Sequence, residues 1–265
     1  LAARLGGSHA MTISAFYPRL TERASRLARW LMPPECLLCG TVHDRAVTIC
    51  HACERNLPAN SSACYQCALP LDSGISEAYP PYCLACQRNP PAFSRTHAPW
   101  LMQAGIQQLI HLWKFQGRPD LTPALASLVL AGSASAFKPE STEPPILVPV
   151  PTHWRRRLRR GFDHTWLLAN ALQRRLATKP AVRSWLKNTG YHPPQHQLGR
   201  ASRWQTGTDR FYAQPDMAGR PIWLIDDVMT TGATLRAAAQ ACRDADAGPI
   251  TLYCIARTPP PPIAG

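Results

Sequence analysis

The chain has no run of about 18 or more apolar residues, so nothing in it reads as a transmembrane helix. Acids are scarce: 16 Asp and Glu stand against 29 Lys and Arg in 265 residues, a net charge of +13. Arginine supplies that excess rather than lysine, which favours an anionic, phosphate-bearing partner over mere solubility. Residues 36–86 are short of branched apolar side chains and cannot bury an ordinary core. The first residue is Leu1 rather than methionine, so Met11 is the expected native start and residues 1–10 an extension. Between Met11 and Trp30, Arg19, Arg23, Arg26 and Arg29 leave no uninterrupted apolar stretch of a secretory signal. A cytoplasmic protein is the expectation.

What is present divides into two parts, as the length suggests. Eight of the ten cysteines lie in residues 36–86. From about residue 96 the pattern changes to alternating helical and strand-like runs, with the change between Gln87 and Thr96. The expected organisation is an N-terminal extension over 1–33, helical from about residue 19, a cysteine module over 34–90, a larger domain over 96–258, and a proline-rich tail over 259–265.

In the larger part, Ile106, Leu109, Ile110 and Trp113 have helical spacing, and 121–132 and 164–176 read as two more helices. The runs 146–150, 221–225 and 250–256 read as buried strands, with a helix over 234–245 between the last two. Strand, helix, strand at this spacing is the unit of a mostly parallel sheet flanked by helices, so the fold class is α/β.

The eight clustered cysteines form four C-x-x-C pairs: Cys36/Cys39, Cys50/Cys53, Cys64/Cys67 and Cys83/Cys86. Such a turn lets two thiolates converge on one tetrahedral ion, and a second turn closes the site. Taken in sequence order, the pairs predict two structural Zn2+ sites, leaving His43 and His51 superfluous. Disulfides would need an oxidising compartment. A role in scaffolding, nucleic-acid contact or protein contact is open. Cys242 and Cys254, alone on a helix and a strand, read as small buried hydrophobes.

The stretch "PIWLIDDVMTTGATL" (221–235) runs a strand into Asp226 and Asp227, then into a loop of small and hydroxyl-bearing residues before a helix. Ligands of open α/β sheets bind beyond the carboxyl ends of strands. Helix N-terminal amides favour anions, Thr230, Thr231 and Thr234 add hydroxyls, and Gly232 permits close approach. Acids beside a phosphate cradle suit sugar hydroxyls or Mg2+. A phosphorylated sugar fits both halves.

This order resembles the phosphoribosyl pyrophosphate (PRPP) signature of type I phosphoribosyltransferases. With the four cysteine pairs, "LIHLWKFQGRPDL" (109–121) and "VPVPTHWRRRLRRGFDHTWLLANALQRRL" (148–176), it also resembles the ComF family of competence-associated proteins, over residues 34–258. That resemblance implies a double zinc ribbon joined to a phosphoribosyltransferase-like domain, and a link to uptake or use of external DNA. It implies that Asp226 and Asp227 hold ribose hydroxyls, and that Thr230, Thr231, Gly232, Ala233 and Thr234 hold the 5-phosphate. It further implies that Lys114 or Arg160 serves the pyrophosphate, with Mg2+ accompanying PRPP. The sequence departs from the family pattern at Asp163 and His164, where asparagine and glutamine are usual, and at Thr206 and Arg210 in the segment corresponding to the lid of related enzymes.

Arg155, Arg156, Arg157, Arg159 and Arg160 crowd into six positions. With Arg203 they are candidate contacts for pyrophosphate or for single-stranded DNA, with His153 and Trp154 placed to stack on bases. A solvated basic edge is the plainer alternative. Two functions stand: a phosphoribosyltransferase of unidentified acceptor, and a non-catalytic protein that handles single-stranded DNA, alone or with DNA-uptake proteins, and keeps the pocket as a sugar-phosphate sensor.

Overall fold

Parallel strands need crossovers, and the chain supplies a helix for the principal ones. The computed structural model describes residues 34–45, 48–71, 80–132, 137, 143–152, 158, 161–188 and 210–260. The elements begin with two short helices in the cysteine module, α1 (His51–Arg55) and α2 (Leu84–Arg88), then strands β1 (Arg95–His97) and β2 (Trp100–Leu101). Next come α3 (Ala104–Phe115), α4 (Thr122–Gly132), β3 (Ile146–Pro149), α5 (His164–Arg175), β4 (Leu186–Asn188) and β5 (Phe211–Ala213). The chain closes with β6 (Ile222–Ile225), β7 (Val228–Met229), α6 (Ala233–Asp244), β8 (Ile250–Tyr253) and β9 (Ala256–Arg257). The helices and main strands expected in residues 96–258 form, with ends shifted by a residue or so, except that the expected strand over 250–256 is split, and the helix expected from about residue 19 lies outside the described residues.

The helices follow from their apolar faces and caps. Ile106, Leu109, Ile110 and Trp113 are the buried residues of α3. Pro123 sits in the first turn of α4, where its missing N–H costs nothing. Asp163 caps α5 by accepting from the Trp166 amide at 3.2 Å, and Arg174 and Arg175 complement the dipole at the other end.

The main sheet has the order β1-β8-β6-β3 and is parallel throughout. All four residues of β3, β6 and β8 are buried, as strands covered on both faces require. β1, β6 and β8 each lapse for two residues and resume as β2, β7 and β9, which form a second parallel sheet in the order β2-β9-β7. Hydrogen bonds bridge the lapse, from the Asp226 amide to the Tyr253 carbonyl at 3.0 Å and from the Ile255 amide to the Asp227 carbonyl at 2.9 Å. Asp226 and Asp227 therefore stand inside an interrupted strand. The sequence had placed them beyond its end, because a two-residue strand such as β7 has no periodicity to detect. β4 and β5 pair antiparallel on either side of residues 189–209.

The chain clusters into two compact units, Leu1–His51 and Ala52–Gly265. Inside the larger unit, Cys64, Cys67, Cys83, Cys86 and Phe93 share one apolar cluster with Met229, Leu235, Ala238 and Leu252. The half of the cysteine module that lacks a core of its own thus borrows one from the sheet. Cys242 and Cys254 are fully buried, as their isolation in the sequence suggested. Among the described residues, no helix is long and apolar enough to cross a membrane.

Candidate functional site

The apolar run Ile222–Ile225 buries β6 in the sheet interior and fixes where the two following carboxylates emerge. Asp227 is 6% exposed and spends both oxygens on protein partners. Its Oδ1 accepts from the Val228 amide at 2.6 Å. Its Oδ2 lies 2.5 Å from Lys114 Nζ, in the last turn of α3, and 2.5 Å from His164 Nε2, in the first turn of α5. Burial alone would raise the Asp227 carboxyl, but the Lys114 charge and then His164 outweigh it and hold it well below the usual range.

Asp226 has the opposite environment. It is half-buried, and among the described residues its Oδ1 accepts from the adjacent Asp227 amide, at 2.8 Å. Burial first, then the neighbouring Asp227 charge, push its carboxyl up to about 8. Lys114 and Arg210 pull weakly the other way. Two adjacent acids are thus divided, one ionised and anchored, the other short of positive charge.

The loop after β7 turns into α6 through Gly232, which sits at φ +81° in the left-handed region. A Cβ there would come within 2.7 Å of Met229 Cε. Glycine is therefore required by conformation, the close methionine end being flexible enough to move aside. The first-turn amides of α6 have no partner within the helix, and the Ala233 amide donates to Thr231 Oγ1 at 3.4 Å. Arg210 donates from Nη1 to Thr234 Oγ1 at 3.1 Å, adding a cation at the same helix start. Beneath the loop, the buried Arg257 donates from Nη1 to the carbonyls of Met229 at 3.0 Å, Thr230, and Thr258 at 2.7 Å.

Several sequence expectations meet here and others do not. Lys114 is brought onto Asp227, next to Asp226, and the 230–234 loop that follows β7 leads into α6. Lys114, assigned by resemblance to pyrophosphate, contacts Asp227. Asp163 is the α5 cap, so its carboxylate is occupied by Trp166 N and by the Thr165 hydroxyl at 2.9 Å. Arg155, Arg156, Arg157, Arg159, Arg160, Arg203 and Thr206 lie outside the described residues. His164, Arg210 and Arg257 are the site residues that sequence reasoning did not assign. The first two were visible only as departures from a family pattern, and Arg257 gave no signal at all.

The cysteines fall into two quartets whose sulfurs lie within 4.8 Å of one another, Cys36, Cys39, Cys50 and Cys53 in one, Cys64, Cys67, Cys83 and Cys86 in the other. The quartets share one local fold. The Gly40 amide donates to the Cys36 carbonyl and the Ala68 amide to the Cys64 carbonyl, each at 2.8 Å, with Gly40 and Ala68 both at positive φ. The Cys50 amide donates to Cys36 Sγ at 3.4 Å and the Cys83 amide to Cys64 Sγ at 3.2 Å. Four sulfurs at this separation with amides directed at them fit tetrahedral Zn2+, with no open position for a substrate.

A family model described as a double zinc ribbon domain matches residues 27–87. The DNA utilization protein YhgH of Salmonella typhi is 30% identical over 217 residues, covering 79% of this chain and 90% of that protein. The protein of the same name from Escherichia coli K12 is 29% identical over 211 residues with the same coverage. Competence protein F of Haemophilus influenzae is 25% identical over 227 residues, 84% of this chain and 96% of that one. Among solved structures, a Trypanosoma cruzi hypoxanthine phosphoribosyl transferase is 13% identical, covering 55% of this chain and 75% of its own, with a TM-score of 0.30.

Proposed function

The chain belongs to the ComF family, which takes in competence protein F and the DNA utilization proteins, and on that premise we propose that it binds PRPP at the Asp226–Thr234 site and transfers the phosphoribosyl group. The observation that carries the reading is the division of labour between the acids. Asp227 is already paired with Lys114 and His164, while Asp226 is half-buried and makes no ion pair among the described residues. A carboxylate in that position accepts hydrogen bonds from ribose hydroxyls, and Mg2+ arriving with a diphosphate would supply the missing positive charge.

In this account Asp226 holds the ribose from the end of β6. The α6 amides, the hydroxyls of Thr230, Thr231 and Thr234, and Arg210 hold the 5-phosphate. Asp227 is the anchor that fixes Asp226 by its backbone. During transfer the bond from the anomeric carbon to pyrophosphate breaks, a bond to the acceptor forms, and pyrophosphate leaves with the electron pair. The protein's contribution is to orient the ribose and stabilise the leaving diphosphate, the second task falling to Arg160 and its neighbours Arg155, Arg156, Arg157 and Arg159. Acceptors of the right chemistry are a base, an amine or a nucleic-acid end. We place the protein in the cytoplasm, with structural zinc in both quartets.

The relatives' names and the arginine block favour a second, compatible role, the handling of single-stranded DNA by residues 155–160 and 203. A bare strand binder has no use for Asp226, since carboxylates repel phosphates. Titrating PRPP with and without Mg2+ tests the pocket. Saturable, Mg2+-dependent binding competed by ribose 5-phosphate supports it, and no binding overturns it. A screen of acceptor classes for PRPP-dependent pyrophosphate release then separates transfer from sensing.

A further inference from the structure

The second cysteine quartet reaches the anion loop through two arginines, one to each of its C-x-x-C turns. Arg257, in β9, is 5% exposed and has donors on both sides. Its Nε donates to the carbonyl of Cys67, in the first turn of the quartet, at 3.1 Å. Its Nη1 donates to the carbonyls of Met229, Thr230 and Thr258, which enclose the loop from below. Arg236, in the first turn of α6, accounts for the other side. Its Nη2 lies 3.7 Å from Cys86 Sγ and its Nη1 donates to the Asn89 carbonyl at 3.2 Å. The Arg236 amide in turn donates to the Gly232 carbonyl at 2.9 Å.

The chemistry of these contacts is directional. Carbonyls of the loop that point down onto a buried guanidinium leave the neighbouring amides turned toward the ligand side. A cysteine sulfur carries most negative charge when it holds Zn2+ as thiolate, and a guanidinium donor is the partner such a sulfur accepts. The apolar cluster that contains Cys64, Cys67, Cys83 and Cys86 together with Met229 and Leu235 makes the connection rigid.

We propose that Arg257 and Arg236 are positioning residues that tie the conformation of the 229–236 anion loop to the metal-filled state of the Cys64, Cys67, Cys83 and Cys86 site, so that this site, and not the other quartet, sets affinity at the loop. The part concerning affinity rests on the PRPP reading above, whereas the part concerning loop conformation does not.

The test uses the full chain with both zinc ions bound and reads amide hydrogen exchange over residues 229–236 beside Mg2+-PRPP affinity. R257Q removes the charge and the forked set of donors, leaving one amide group. It is expected to speed exchange of the loop and to weaken PRPP binding, each at least roughly tenfold, while two zinc ions stay bound. R257K, which keeps the charge but not the forked geometry, is expected to fall between, and it decides the matter if R257Q does not fold. R236Q is expected to act in the same direction with a smaller change. C39S, in the first quartet, is expected to lower zinc content and leave loop exchange at the wild-type rate. Wild-type exchange over 229–236 in both Arg257 variants overturns the inference, as does equal loop exchange in C39S and R257Q. If the wild-type chain binds no PRPP, the functional reading fails, and the exchange data still decide whether the quartet governs the loop.

Discussion

His164 Nε2 and Asp227 Oδ2 are 2.5 Å apart, on the same carboxylate oxygen that Lys114 reaches. Thr152 Oγ1 lies 3.4 Å from the other ring nitrogen, and the Trp113 ring meets the imidazole edge-on. A buried carboxylate held by two partners is costly to leave half-paired. D227A strands Lys114 and His164 and is expected to lower unfolding free energy by about 3–5 kcal/mol, measured by denaturant titration. D226A carries no such pair and is expected to leave stability within about 1 kcal/mol of wild type, or to raise it. Equal losses in the two variants would show that the acids are not divided as described.

The same division predicts opposite pH dependences. Asp226 is raised to about 8, so between an unfolded value near 4 and about 8 the folded chain binds more protons, and its contribution to stability falls as pH rises through that window. Asp227 is depressed, so its contribution is present above the unfolded value and is lost as pH falls through the folded one. Mg2+ or a ligand held by ionised Asp226 must displace a proton at pH 7. Affinity is therefore expected to rise toward pH 8 with proton release, read as a buffer-dependent binding enthalpy, and D226N is expected to abolish that dependence.

G232A places a Cβ 2.7 Å from Met229 Cε at a backbone angle that alanine adopts poorly. The methionine end is flexible, so the conformational strain dominates, about 1–2 kcal/mol of stability. Loss of anion binding at the loop is expected to exceed what that strain explains, because the amides turn with the backbone. PRPP titration on G232A checks it, and wild-type affinity would remove the loop from the site.

Metal analysis is expected to give two zinc ions per chain. Serine at Cys67, whose sulfur is buried in the apolar cluster of the sheet, is expected to cost both an ion and cooperative unfolding of the larger unit. Serine at the exposed Cys39 is expected to cost an ion with little change in that transition.

Legibility in the sequence followed the range of each signal. The acid pair, the threonine loop and the cysteine pairs could be recognised because their residues are adjacent, and the strands Ile222–Ile225 and Ile250–Tyr253 because short apolar or β-prone runs bounded by turn residues are hard to miss. β7 and β9 could not be recognised, since two residues carry no period. His164 and Lys114 are far apart in sequence and meet on one oxygen only because α3 ends and α5 begins beside the same carboxylate. Arg257 looks like any basic residue at a strand end, and its role depends on carbonyls of residues 67, 229, 230 and 258 converging on it. The second ribbon read as a module without a core, and its burial against Leu235 and Ala238 has no counterpart in local composition.

The central claim is that Asp226 is the ligand-facing acid of a PRPP site. Isothermal titration of PRPP with Mg2+ into the wild-type chain and into D226N tests it most directly. The account predicts saturable binding to the wild type and a loss of at least roughly tenfold in D226N, whose folding transition stays unchanged. Equal affinity in the two proteins, or no binding to the wild type, would contradict it.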